Sequence, residues 1–410
     1  MLTSHKANRQ RAFAIKLVTT TVPAMVIALL VLAAAVEAWV RITADPKRGT
    51  PGFFLSDAAR RDRLAAHYSG WFAGVPVHIN GLELRDNREY DLEKKPNTFR
   101  ILALGDSVTF GHGSVYEHTY PYLLEQQLRR WRPDVDWQVW NAAVPGYNTS
   151  QELAQLLEVG PRFKPDLVIV GFFDNDIIDN EVVVPPDRFA ILQSDVLSVL
   201  RRHLYSLDLY KRWYLTLRWR LFASDEYRRR LEHIATEESL LADVGRVAEL
   251  QQQQLTPYER LTDEQVRRNI CRGGERPSAT LTADLQHDAG WANWIRAVRR
   301  LQELHKAGAY SIVFFVNMVP PVCPGDDFFF DGASLNRFFL DVLGQGTPAV
   351  SAYDTFLHRR PSQMPNAKAH AIGNSNLTKA EALFGYLTNE ILPTFAHPAF
   401  SRVAEPRVQR

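Results

Sequence analysis

Hydrophobic and polar positions alternate in blocks along most of the chain. Ile101 to Leu104 is an apolar run without a polar interruption, a second lies around Val139, and a third runs from Asp166 to Gly171. Runs this short, bounded by turn residues, predict strands buried on both faces of a parallel sheet. Tyr120 to Trp131 places Leu123, Leu124 and Leu128 at helical spacing, and Ser150 to Val159 predicts a further helix with Thr149 as its cap. Pro161 and Pro165 bracket the loop before the third strand. Farther on, Trp291–Lys306 and Lys379–Leu392 read as helices, and Ser311–Val316 and Ala349–Tyr353 as strands. Strand and helix in alternation predict an α/β fold with a doubly wound, mainly parallel sheet flanked by helices.

The first hundred residues follow other patterns. Residues 1–16 carry Lys6, Arg9, Arg11 and Lys16 and no acid, and the twenty residues from Leu17 to Val36 carry no charge. About twenty apolar residues span a hydrocarbon core. A cleavable signal peptide is the rival, with Val36-Glu37-Ala38 as a loose cleavage site, but its apolar core runs only to ~7–15 residues. The expectation is an uncleaved transmembrane helix over 17–40 in a plasma or inner membrane. The basic leader points its N-terminus inward and the main domain to the periplasmic or outer side. Ser56–His67 predicts a short helix, and Val75–Arg85 an extended flap over the sheet edge before the charged run Asp86–Lys95. The domains expected are leader 1–16, membrane helix 17–40, linker and lead-in 41–95, α/β domain 96–191 and 289–397, insertion 192–288 and tail 398–410.

Composition adds little. A chain with 46% hydrophobic and 23% charged residues is ordinary for a globular protein, and a net charge of +2 does not call for nucleic acid. The inferred compartment excludes nucleic acid as a partner. Between Arg201 and Arg230 nine Lys or Arg face three Asp or Glu, interleaved with aromatics such as Tyr205, Trp213 and Trp219. Either the aromatics pack on the main domain, or the stretch meets anionic headgroups or an acidic polysaccharide. Cys271 and Cys323, outside the cytoplasm, make a possible disulfide. No Cys/His cluster has metal spacing, and no cofactor is expected.

Gly105-Asp106-Ser107 closes the first strand, which puts a serine hydroxyl at the carboxyl edge where open α/β sheets hold their reactive groups. Gly-Asp-Ser is also ordinary turn chemistry. Two later blocks change its weight: Val144-Pro145-Gly146-Tyr147-Asn148 after the second strand and Phe173-Asp174-Asn175-Asp176 after the third. In this order they resemble the SGNH/GDSL hydrolase superfamily, whose blocks supply a serine, a glycine, an asparagine and an Asp-x-x-His. The resemblance implies an SGNH or flavodoxin-like fold, with Ser107 as nucleophile and an oxyanion hole from the Ser107 and Gly146 N–H groups and the Asn175 amide. It also implies a lead-in with a glycine and an arginine, like Gly81 and Arg85.

The last block departs from the pattern. Aligning Thr378 with the family puts Asn376 at the histidine's post and Gly373 at the aspartate's. An asparagine there would hold the Ser107 hydroxyl without taking its proton, and an unassisted serine is a weak nucleophile. Three readings stay open. His370 reaches in with Asp354 or another carboxylate behind it; His112 or His118 serves as the base; or hydrolysis is lost. The leading function is an ester hydrolase or O-acyl (acetyl) esterase or transferase on cell-envelope or exported carbohydrate. The alternative is a degenerate binding or scaffold protein in polysaccharide assembly, beside envelope-assembly partners. An imidazole nitrogen within ~2.6–3.2 Å of the Ser107 hydroxyl separates the two.

Overall fold

The computed structural model describes residues 17–43, 50–57, 59–180, 200, 203–207, 217, 282–319, 332–360, 364, 366–367 and 370–397. The first helix, Val22–Thr43, continues a wider turn over Leu17–Thr21. Ile27, Leu29, Leu30, Val31 and Leu32 are all exposed on it. Thr19–Thr43 is long and apolar enough to cross a membrane, a description that a signal sequence also meets. Near its end, Glu37 accepts the backbone N–H groups of Tyr205 at 3.0 Å and Ser206 at 2.9 Å.

Two antiparallel hairpins follow: β1 (Phe54–Asp57) with β2 (Arg61–Leu64), and β3 (Tyr68–Phe72) with β4 (Val75–Ile79). The helix expected over Ser56–His67 is therefore corrected to a hairpin. Asp57 Oδ1 accepts the N–H groups of Ala59 at 2.9 Å and Arg60 at 2.8 Å, which turns the chain sharply where a helix would have continued. Phe53, Leu55, Leu64, Tyr68, Val75, Val77 and Ile79 bury against Phe110, Ala143, Val144 and Tyr147. The lead-in thus lies on the loops beyond the first two sheet strands, as a flap over the sheet edge would.

The central sheet holds β5 (Thr98–Gly105), β6 (Asp136–Asn141), β7 (Leu167–Phe172), β8 (Ile312–Val316) and β9 (Ala349–Ser351). All pairs are parallel, in the order β6-β5-β7-β8-β9. Every residue of β5, β7 and β8 is buried. Leu102, Leu104, Val168 and Val170 face a layer built by the helices Thr149–Phe163, Trp291–Lys306 and Gly332–Leu343. Phe99, Ile101, Leu167 and Ile169 face Tyr120–Trp131 and Asn374–Tyr386 on the other side. The period of two sends alternate side chains to opposite faces, and both faces are covered.

Several boundaries move. Asn148, not Thr149, caps the helix after β6: its side chain accepts from Ser150 and Gln151, and Gln151 answers the Asn148 N–H. That helix continues through Pro161 to Phe163. β9 ends at Ser351, whose hydroxyl accepts the Tyr353 N–H at 3.0 Å as the helix Tyr353–Leu357 begins. The last long helix starts at Asn374, five residues before the expected Lys379. The helix Gly332–Leu343 is an element beyond those the sequence pattern predicts. Cys271, Cys323 and nearly all of 192–281 lie outside the described residues.

Candidate active site

β5 ends where the strand order reverses, with β6 on one side and β7 on the other. Open α/β sheets form a crevice at that point. Gly105 of β5 pairs with Gly171 of β7, and a Cβ added at either would fall 2.1 Å from Thr109 Oγ1. The two bare positions let the chain fold back in the one-turn helix Ser107–Phe110 directly under the edge. Asp106 caps that turn, its Oδ1 accepting the Val108 N–H at 2.8 Å. Asp106 is fully buried and Ser107 half-buried.

Ser107 Oγ stands 2.8 Å from His370 Nε2 and 3.4 Å from Asp106 Oδ2. His370 hangs on a small antiparallel hairpin, β10 (Asn366–Ala367) and β11 (His370–Ala371), which feeds the helix Asn374–Tyr386. Of the three histidines considered, His370 is the one that reaches the hydroxyl. His112 donates its backbone N–H to Ser107 O at 2.9 Å and stacks its ring on His370, centroids 4.3 Å apart. His118 sits in the turn Tyr116–His118 and makes no bond to Ser107. Asp354 is exposed on Tyr353–Leu357 and does not bond His370, and Ala367 stands three places before His370, so the Asp-x-x-His spacing is not kept.

Gly146 and Asn175 follow β6 and β7, the two neighbours of β5. Ala142 N donates to Ala103 O at 2.9 Å and Val144 N to Gly105 O at 3.0 Å, so the β6 chain tracks β5 past its end. Gly146 then turns with φ of +81° and is exposed. A left-handed φ favours glycine. Asn175 opens the helix Asn175–Asp179 and is half-buried. Ser107, Gly146 and Asn175 thus lie at one edge, on three adjacent strand ends.

Asn376 does not take the histidine's post. It is fully buried and its Nδ2 donates to Ser114 Oγ at 3.0 Å. Gly373, with φ of +49°, turns the chain into the helix at Asn374. The early helix start puts Asn376 in the first turn, while the imidazole comes from the hairpin ahead of it.

Two more ionisable groups are buried around Asp106. Glu152 is fully buried, and both its carboxylate oxygens lack a hydrogen bond among the described residues. Burial, and then the charge of Asp106, push its carboxyl well above the ordinary range. Burial pushes the Lys379 ammonium down to about 7, and Asp106 pulls it the other way. The sequence reading missed both. Lys379 lies three residues after Asn376 and four before Leu383, a buried helical face that starting the helix at Lys379 hid. Among the described residues, no group of three or more His, Cys, Asp or Glu is placed to hold a metal ion.

With its ring proton on Nδ1, His370 Nε2 accepts the Ser107 hydroxyl and can take its proton as Oγ attacks a carbonyl. A family model for GDSL-like lipases and acylhydrolases matches residues 103–325. The chain belongs to the GDSL-like lipase/acylhydrolase family. The match starts within β5 and takes in Ser107, Gly146 and Asn175, whereas His370 lies beyond it. Similar solved structures include a catalytic mutant of an acetylxylan esterase from Geobacillus stearothermophilus. It is 12% identical, with 72% of this chain and 95% of that one covered and a TM-score of 0.36. A lipase from a goat rumen metagenome is 13% identical over 70% of this chain and 97% of its own, with a TM-score of 0.35. A comparison with curated proteins finds no relative.

Proposed function

We propose that this GDSL-family chain is a serine ester hydrolase with Ser107 as nucleophile and His370 as general base. The 2.8 Å approach of His370 Nε2 to Ser107 Oγ carries the reading. It lies within the reach of ~2.6–3.2 Å that proton transfer needs, and it favours catalysis over a degenerate binding protein. Ser107 Oγ attacks the acyl carbon while His370 takes the hydroxyl proton. The Ser107 and Gly146 N–H groups and the Asn175 amide stabilise the oxyanion. His370 then returns the proton to the leaving alcohol. Water, deprotonated by His370 in turn, releases the acyl group; an acceptor hydroxyl in place of water gives O-acyl transfer.

The substrate class proposed is an O-acylated, chiefly O-acetylated, carbohydrate of the cell envelope or an exported polysaccharide. The proposed setting is the outer face of the plasma or inner membrane, with the N-terminus inside and the first helix kept as an anchor. The contacts of Glu37 with Tyr205 and Ser206 support retention, because they tie that helix to a later part of the chain. Envelope-assembly proteins are the proposed partners. Hydrolysis of 4-nitrophenyl acetate by the full chain, compared with Ser107→Ala and His370→Ala, tests the reading. Either variant matching the wild type would refute it.

A further inference from the structure

The same pair carries a neighbour whose geometry has a use of its own. We propose that His112 is the positioning residue for His370: its ring is a fixed platform that holds the imidazole plane with Nε2 toward Ser107. The inference rests on the Ser107–His370 reading above.

The two rings lie 4.3 Å apart between centroids and 21° from parallel, a close stack. The far terminal torsion of a histidine side chain is broad and weakly biased, so a lone imidazole samples many ring planes. A flat partner at stacking distance removes most of that freedom. The strands that bear His370 are two residues each, too short to fix a ring by themselves.

The platform itself is held from several sides. Phe72 meets the His112 ring edge-on, at 5.3 Å and 81°. The His112 and Gly111 N–H groups both donate to Ser107 O, at 2.9 and 3.0 Å, which ties the platform to the nucleophile's own residue. Arg85 is 1% exposed and donates to Phe110 O at 2.6 Å, to Gly111 O at 2.7 Å and to Ser114 O. Its guanidinium also lies over the Phe110 ring, 4.4 Å from the centroid. Asn141, at the end of β6, donates to Thr109 O at 3.2 Å and Phe110 O at 3.3 Å. Asn376 donates to Ser114 Oγ. Three buried side chains, from the loop after β4, the end of β6 and the helix Asn374–Tyr386, therefore clamp residues 109–114, and the clamped loop presents His112 to His370.

The test uses the full chain in detergent, as wild type, His112→Ala, His112→Phe and Ser107→Ala. With 4-nitrophenyl acetate, His112→Ala lowers kcat by about 10–100-fold, the order that misplacing a reacting group costs, while KM holds. His112→Phe keeps a flat ring and restores most of kcat. A readout independent of turnover comes from spectra of 15N-histidine-labelled protein, with His370 assigned by its loss in His370→Gln. The His370 ring signals move on His112→Ala and stay near the wild-type position on His112→Phe. Unchanged kcat in His112→Ala, a Phe variant as impaired as the Ala variant, or unmoved His370 signals would each overturn the platform. Equal turnover in wild type and Ser107→Ala would instead defeat the esterase reading, and the spectra would still decide the stack.

Discussion

Asn376 donates its side-chain amide to Ser114 Oγ at 3.0 Å, inside the molecule and away from the Ser107 hydroxyl. Asn376 thus braces the loop of residues 109–114 and leaves the proton of Ser107 to another group. Asn376→His, with or without Gly373→Asp, is expected not to raise esterase activity, because no imidazole at 376 replaces the one already at Ser107. Asn376→Ala should cost stability, by about 1–2 kcal/mol for a lost buried hydrogen bond. Denaturant midpoints and 4-nitrophenyl acetate rates check both. A gain of activity in the double variant would show that an imidazole introduced at the helix start can reach Ser107.

How legible the chain was follows from where each signal resides. β5, β7 and β8 are continuous apolar runs closed by turn residues, so their place was plain, and so were Ser107, Gly146 and Asn175 at strand ends. The proposed base is harder to read. His370 belongs to strands of two residues with no period to read, and its partner Ser107 is 263 positions away. The lead-in misled for a related reason. Leu64 and nearby alanines suggest a helical face, but the turn bonds of Asp57 are local polar contacts that outweigh it.

Arg85 donates to three backbone carbonyls while fully buried, and burial pushes its guanidinium down to about 9. Arg85→Met removes a desolvated charge, and Phe110 O keeps Asn141 while Gly111 O keeps the Ser114 N–H, so the loss centres on Ser114 O and a net cost of about 1–3 kcal/mol is expected. Urea unfolding of the two proteins measures it. An unchanged midpoint would mean that the loop does not depend on this side chain.

At Gly171, on the switch point, an added Cβ would overlap Thr109 Oγ1 and lie 2.9 Å from the Tyr120 hydroxyl. Gly171→Ala should destabilise by about 1–3 kcal/mol through overpacking. Since Thr109 makes the worse contact, Thr109→Ala in the Gly171→Ala background should recover part of the loss. A double variant no more stable than the single one would place the strain elsewhere.

The Glu152 carboxyl is raised by burial and by Asp106, so the folded chain keeps a proton that the unfolded chain releases near its ordinary value of 4.5. Its favourable contribution is complete below that value and is lost as pH rises through the folded one. Glu152→Gln copies the protonated form at every pH. Melting temperatures should match near pH 4.5 and favour the variant at pH 8. A variant less stable than wild type at pH 8 would mean that Glu152 is charged and paired.

The central claim is that His370 activates Ser107. The most direct measurement is covalent capture by a fluorophosphonate, located by mass spectrometry on the full chain. The account predicts one adduct, on Ser107 of the wild type, forming at least about 100-fold more slowly in His370→Ala, the scale of a lost general base. Labelling of Ser107 at the same rate without His370, or none on folded wild-type chain, would contradict it.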